Sequence, residues 1–138
     1  MSDNENRKPK TDPEHKRHET WQRGAFDHEK LDAFRVAKEA LRQGHALSRS
    51  LPRGYGKLQD QLLRALLGSY LQMAEAASRA GRDRVARYRM ARGEASEAAA
   101  ALEAVVVLDL LPAAQVEPMV HLLGRLCAML TRLGGFGR

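Results

Sequence analysis

Aromatic residues, cysteine and β-branched residues are all scarce in this chain of 138 residues. It has one Trp, three Tyr and three Phe, and outside Val105, Val106 and Val107 few side chains branch at Cβ. A strand-built fold therefore lacks the residues that suit a pleated, half-buried surface. The single cysteine, Cys127, excludes an intrachain disulfide. Its setting between Leu126 and Ala128 predicts a buried thiol, which suits a reducing cytoplasmic compartment. No run approaches the roughly 20 apolar residues of a membrane span. The opening Met1-Ser2-Asp3-Asn4-Glu5-Asn6 lacks an apolar leader, so neither secretion nor a membrane partner is expected. There is no Gly-rich phosphate loop after a strand, and no Ser or Cys stands beside a base. Neither an enzyme nor a cofactor is expected.

Ala and Leu supply most of the 43% hydrophobic content, a composition that favours helices packed on helices. The length fits one domain. Residues 1–25 mix acids and bases with Pro9 and Pro13 and almost nothing apolar, so they are predicted to form a flexible charged tail. Trp21 and Phe26 at its end either anchor it on the domain or serve as a docking site. The domain proper, 26–138, divides into four helical segments.

Asp27 is a plausible N-cap for the first segment. Leu31, Phe34, Ala37 and Leu41 form one row along it, with Ala33, Val36, Ala40 and Leu47 alongside. It should stop near Ser50, because Pro52 disfavours helical geometry at Leu51. The second segment, about Lys57 to Ser78, carries Leu58, Leu62, Leu66, Ser69, Met73 and Ala76. The third begins with Asp83 as cap and runs to about Leu111 before Pro112, with Tyr88, Ala95, Ala99, Leu102 and Val106 as its expected core face. The fourth, Ala113 to Leu133, presents Val116, Met119, Val120, Leu123, Leu126, Cys127 and Leu130 inward, and Gly134-Gly135 ends it. Short connections make an all-α, antiparallel up-down-up-down four-helix bundle the simplest arrangement.

The third segment is apolar around most of its circumference over Ala98–Leu102 and Val105–Leu111. One bundle core cannot cover a helix that is apolar on every side. A homo-oligomer interface at Val105, Val107, Leu108 and Leu111 is the expected remedy, and a different protein partner is the other.

Several motifs taken together carry a resemblance: Leu51-Pro52-Arg53-Gly54-Tyr55-Gly56, then Leu58-Gln59-Asp60-Gln61-Leu62-Leu63-Arg64-Ala65, Ala74-Glu75-Ala76, and Tyr88-Arg89-Met90-Ala91-Arg92-Gly93-Glu94-Ala95-Ser96-Glu97. From about Phe26 to Leu133 the chain resembles the bacterial four-helix-bundle family of the ribosomal-RNA intervening-sequence proteins and the accessory variability proteins of diversity-generating retroelements. It departs from the Asn-x-Ala-Glu-Gly pattern common in the former, with Gln72 at the Asn position and Ala76 at the Gly position. The resemblance implies a barrel-like, ring-shaped homopentamer of four-helix protomers and does not imply an enzymatic activity. In the retroelement branch it also implies binding to a reverse transcriptase and to nucleic acid through a basic surface.

The formal charge is +6, and its sharpest concentration is Arg79, Arg82, Arg84, Arg87, Arg89 and Arg92 against the single acid Asp83. Guanidinium forks match phosphate oxygens in pairs, and neutralising several phosphates releases condensed counterions. RNA or DNA is therefore a candidate partner. The other reading is a solvated or internally paired face, because at 100° per residue these arginines spread over more than half of the helix circumference. An antiparallel turn at Gly81 would bring Glu75 level with Arg87, for pairing with Arg87 or Arg89. His15 and His18 have helix-compatible metal spacing but no third ligand. Glu94, Glu97 and Glu103 lack the Glu-x-x-His partners of a carboxylate metal bundle. No metal site is expected.

Overall fold

The computed structural model describes residues 28–135. The predicted tail, with Trp21, Phe26, His15 and His18, and the proposed cap Asp27 lie outside the described residues. Four helices account for nearly all of the rest: α1 His28–Ser48, α2 Gly56–Ala77, α3 Gly81–Val107 and α4 Ala113–Leu133. There is no strand among the described residues.

Each helix packs on its neighbours in sequence, and α1 closes on α4. The arrangement is therefore a square of four with a shared core. That core holds the residues that the 3.6-residue period singles out: Ala33, Val36 and Ala40 from α1, Leu62, Leu66 and Met73 from α2, Leu102 from α3, and Met119, Leu123, Leu126 and Leu130 from α4. The seam between α2 and α3 is lined by small residues, among them Ala65, Ser69, Ala91, Ala95 and Ala98, all buried. The Ser69 hydroxyl donates to the Ala91 carbonyl at 2.9 Å, satisfying a buried polar group inside the seam. Two helix-interior glycines make room for crossing side chains, each against a propensity cost of about 1 kcal/mol relative to Ala. A Cβ on Gly68 would lie 2.8 Å from the Glu94 carboxylate, and one on Gly44 would collide with the Leu66 side chain.

Several local features differ from the sequence reading. Asp83 does not cap α3; Ala80 occupies the N-cap position without a side-chain hydrogen bond, and Asp83 lies within the first turn. There its carboxylate still favours the positive end of the helix dipole.

The third helix also ends at Val107, four residues before the expected stop. The Leu110 amide bonds to the Val105 carbonyl and the Asp109 amide to the Val106 carbonyl, both at 3.0 Å. Asp109 takes the left-handed conformation at φ 53°. This is a Schellman closure with Asp where Gly is usual. Glycine has no Cβ penalty there, so Asp109→Gly is expected to raise stability by about 0.5–1 kcal/mol, read as a higher midpoint in urea unfolding.

The early stop reshapes the all-round apolar surface read from the sequence. Val105 is fully buried in the protomer's own core, and Leu111 packs against that core, as Leu110 does. Val105 is therefore withdrawn from the predicted oligomer interface. Leu111 is largely accounted for within the protomer, while Val107 and Leu108 remain exposed, at 78% and 52%. On the expected core face of α3, Ala99 and Val106 are only partly buried, and Ala91, Ala98, Ala101 and Val105 take their place. Cys127 is likewise half-buried, with its Sγ 3.8 Å from the Ser96 hydroxyl.

Candidate nucleic-acid interface

Arg79, Arg82, Arg84, Arg87, Arg89 and Arg92 occupy the α2–α3 connection and the first three turns of α3. Cations at a helix N-terminus oppose that helix's own dipole, so this placement needs a reason from outside α3. The neighbouring helices provide it, because α2 and α4 present their C-terminal carbonyls at the same end. The Arg84 Nε donates to the carbonyls of Ala76 at 3.2 Å and Arg79 at 2.7 Å, where α2 finishes. The Arg89 Nε donates to the Gly134 carbonyl at 2.8 Å, where α4 finishes. Helix ends leave carbonyls without intrahelical donors, and these two arginines cap them from the next helix.

The remaining arginines divide by partner. Arg79 bridges two carboxylates, with Nη2 2.6 Å from Glu75 and Nη1 3.2 Å from Asp83. Arg87 donates to the Gln72 side-chain oxygen at 3.2 Å and lies 3.9 Å from Asp83. Gln72 thus holds an arginine of the next helix. Arg92 donates to the Thr131 hydroxyl at 2.9 Å, and that hydroxyl donates in turn to the Cys127 carbonyl at 2.7 Å. Arg82 makes no hydrogen bond or ion pair with the described residues. It lies with Gly81, Val85, Ala86 and Arg89 along an open groove on the first turns of α3.

The pairing of Glu75 with Arg87 or Arg89 expected from the turn geometry does not occur. Glu75 pairs with Arg79 one turn further along, because an i, i+4 partner is reached without crossing between helices. The hydrogen bond from Arg79, then its charge, holds the Glu75 carboxyl below its ordinary value of 4.5, and Arg87 adds to the effect. A folded-state pKa below the unfolded one means that this contribution to stability is present above about pH 4.5 and is lost as pH falls through the folded value. Arg79→Gln is expected to return the Glu75 titration towards the ordinary carboxylate range, read from its side-chain carbon shift in an NMR pH series.

Arg132, in the last turn of α4, belongs to the same end of the molecule and was not among the residues singled out from sequence. The available signal was that a basic last turn of the fourth helix lies level with the start of the third if the two run in opposite directions. Seven arginines therefore meet two carboxylates over 75–92 and the end of α4. Apart from Glu75 and Asp83, the partners in the contacts above are neutral: carbonyls, an amide and a hydroxyl. For Arg84, hydrogen bonding to backbone carbonyls orders the side chain while leaving its charge in place. Among the described residues, no three His, Cys, Asp or Glu side chains are placed to share a metal ion, and no helix is long and apolar enough to cross a membrane. Compared with protein-family models, curated proteins and solved structures, the chain matches none of them.

Proposed function

We propose that this protein is a non-enzymatic, oligomeric adaptor that holds a polyanion, RNA or DNA, against the arginine-rich end of an up-down-up-down helix bundle. The observation that carries the reading is the excess of seven arginines over two carboxylates within residues 75–92 and the last turn of α4, with Arg84 ordered on backbone carbonyls. Ordered guanidinium groups lose less entropy on meeting phosphate than free ones. Contacts of this type recognise the backbone and not the base sequence.

The bundle direction is supported by paired positions. From α2 to α3, Gln72 meets Arg87 and Ser69 meets Ala91. From α3 to α4, Arg89 meets Gly134, Arg92 meets Thr131 and Ser96 meets Cys127. In each set one number rises as the other falls. The motif resemblance to the intervening-sequence and accessory variability proteins points the same way, towards a ring-like homopentamer and, in the retroelement branch, a reverse-transcriptase partner, and the lone cysteine suits a cytoplasmic setting.

Fluorescence anisotropy with labelled single-stranded and duplex RNA and DNA tests the reading. Binding at low salt with little dependence on sequence is expected. Absence of binding to all four at low salt would rule it out. A protein-interaction scaffold is the second reading, favoured by the bare apolar side chains Val107 and Leu108; on that reading the arginines serve only to close the end of the bundle.

A further inference from the structure

We infer that the groove between α1 and α2 receives the outer face of α3 from a second copy of this chain, joining protomers head to tail. The groove is open, about 460 Å³ in volume, with Leu41, Leu63 and Leu67 as its apolar floor and Lys38, Arg42 and His45 as its basic rim. Leu67 is 46% exposed, and Leu71 one turn on is 53% exposed. Neighbouring leucines left this bare are uncommon on a soluble monomer. The rim charges are available. Arg42 is held only by a solvent-exposed pair with Glu39 at 3.0 Å, and the Lys38 ammonium rests 4.9 Å from the centre of the Phe34 ring.

The outer face of α3 carries the complementary pattern. Met90 and Val107 are exposed apolar residues, and the exposed acids Glu97 and Glu103 form no ion pair with the described residues. Gly93 lies on the same face, and a Cβ added there meets nothing within 4 Å. Unlike Gly44 and Gly68, it has no packing reason inside the protomer, and a closely approaching partner would supply one. Two α3 faces packed on each other would set Glu97 and Glu103 against their own copies. Packing into the basic-rimmed groove sets them against cations instead. Because the two surfaces differ, the contact is heterologous, and repeating it closes a ring or extends a filament.

This inference rests on the self-association in the proposed function, and the two fail separately in one experiment. Sedimentation velocity on the full chain compares the wild type with a groove variant, Lys38→Glu/Arg42→Glu, and a helix variant, Glu97→Lys/Glu103→Lys. Helix content and melting by circular dichroism confirm that both fold. Each variant alone is expected to associate at least about tenfold more weakly than wild type, since like charges then face each other. A mixture of the two is expected to recover association that neither variant shows alone, because each contact between unlike variants again pairs opposite charges, while a closed ring of five retains one like-charged contact. Gly93→Ala is expected to melt higher but associate more weakly, whereas Gly124→Ala, also without a contact for its Cβ, is expected to melt higher and associate as wild type does. An oligomer of unchanged mass in the groove variant would overturn the groove assignment and leave self-association standing. A wild type that stays monomeric at high micromolar concentration would overturn both.

Discussion

Binding of a labelled nucleic acid is expected to weaken by about 10²- to 10³-fold between roughly 50 and 200 mM salt, as follows if about five phosphates are neutralised. The size of this effect comes from counterion release. It therefore counts the cations facing the strand and not the length of the contact. Arg82→Ala should reduce the slope of log K against log salt by about 0.7–0.9, one phosphate contact, with the melting temperature unchanged, because Arg82 holds nothing within the described residues. Arg84→Ala should behave differently. Its Nε donates to the Ala76 carbonyl in the last turn of α2 at 3.2 Å and to the Arg79 carbonyl in the connection at 2.7 Å, so its loss should cost about 1–2 kcal/mol of stability. Anisotropy titrations and denaturant unfolding on the same two variants separate arginines that close the bundle from those that meet a partner. A slope that stays the same in Arg82→Ala would remove this residue from the interface. A slope near zero in the wild type would remove the interface altogether and leave the scaffold reading.

Leu102→Ala is expected to lower the free energy of unfolding by about 2–5 kcal/mol. Leu102 is completely buried and is the one leucine that α3 contributes to a core face otherwise built mainly of alanines. Its neighbours along the helix, Ala98, Ala101 and Val105, are too short to fill the space it leaves. The cost therefore includes a cavity as well as lost burial. Set against a typical domain stability of about 5–15 kcal/mol, the change is large enough to read directly as a shifted urea midpoint at constant slope. A cost below about 1 kcal/mol would mean that the helices close over the site and that the α3 seam is less rigid than its packing suggests.

The core positions on α2 and α4 were legible in the sequence because those helices carry large aliphatic residues on one face. Leu62, Leu66, Met73, Leu123, Leu126 and Leu130 have to be buried together, and the 3.6-residue period places them together. The third helix was harder to read. Alanine is small, has little preference between core and surface, and occurs on every side of α3, so periodicity does not distinguish the buried Ala91 and Ala98 from the exposed Ala100. Its C-terminal stop was hidden for a related reason. Asp109 in a left-handed conformation carries no signal comparable to glycine, and the apolar run Val105–Leu111 reads as continuous helix. Only the chain reversal shows that Leu110 and Leu111 fold back onto the core.

The arginine cluster shows the same division. Its existence and sign were plain from the residue order, but which guanidinium meets which group was not, since each long side chain reaches acceptors on two or three helices. Local spacing was enough for Arg79 with Glu75. The tertiary structure alone decided that Arg84 and Arg89 cap the ends of neighbouring helices, that Gln72 and Thr131 take Arg87 and Arg92, and that Arg132 joins the same end.

By itself, then, the sequence determined an all-helical chain of four segments with a basic turn between the second and third, because periodicity, turn residues and charge are local properties. The tertiary structure decided which alanines are core, where the third helix ends, which arginines are engaged and which apolar side chains remain bare. Those outcomes depend on distances between segments far apart in the chain, and these are set only when the helices pack.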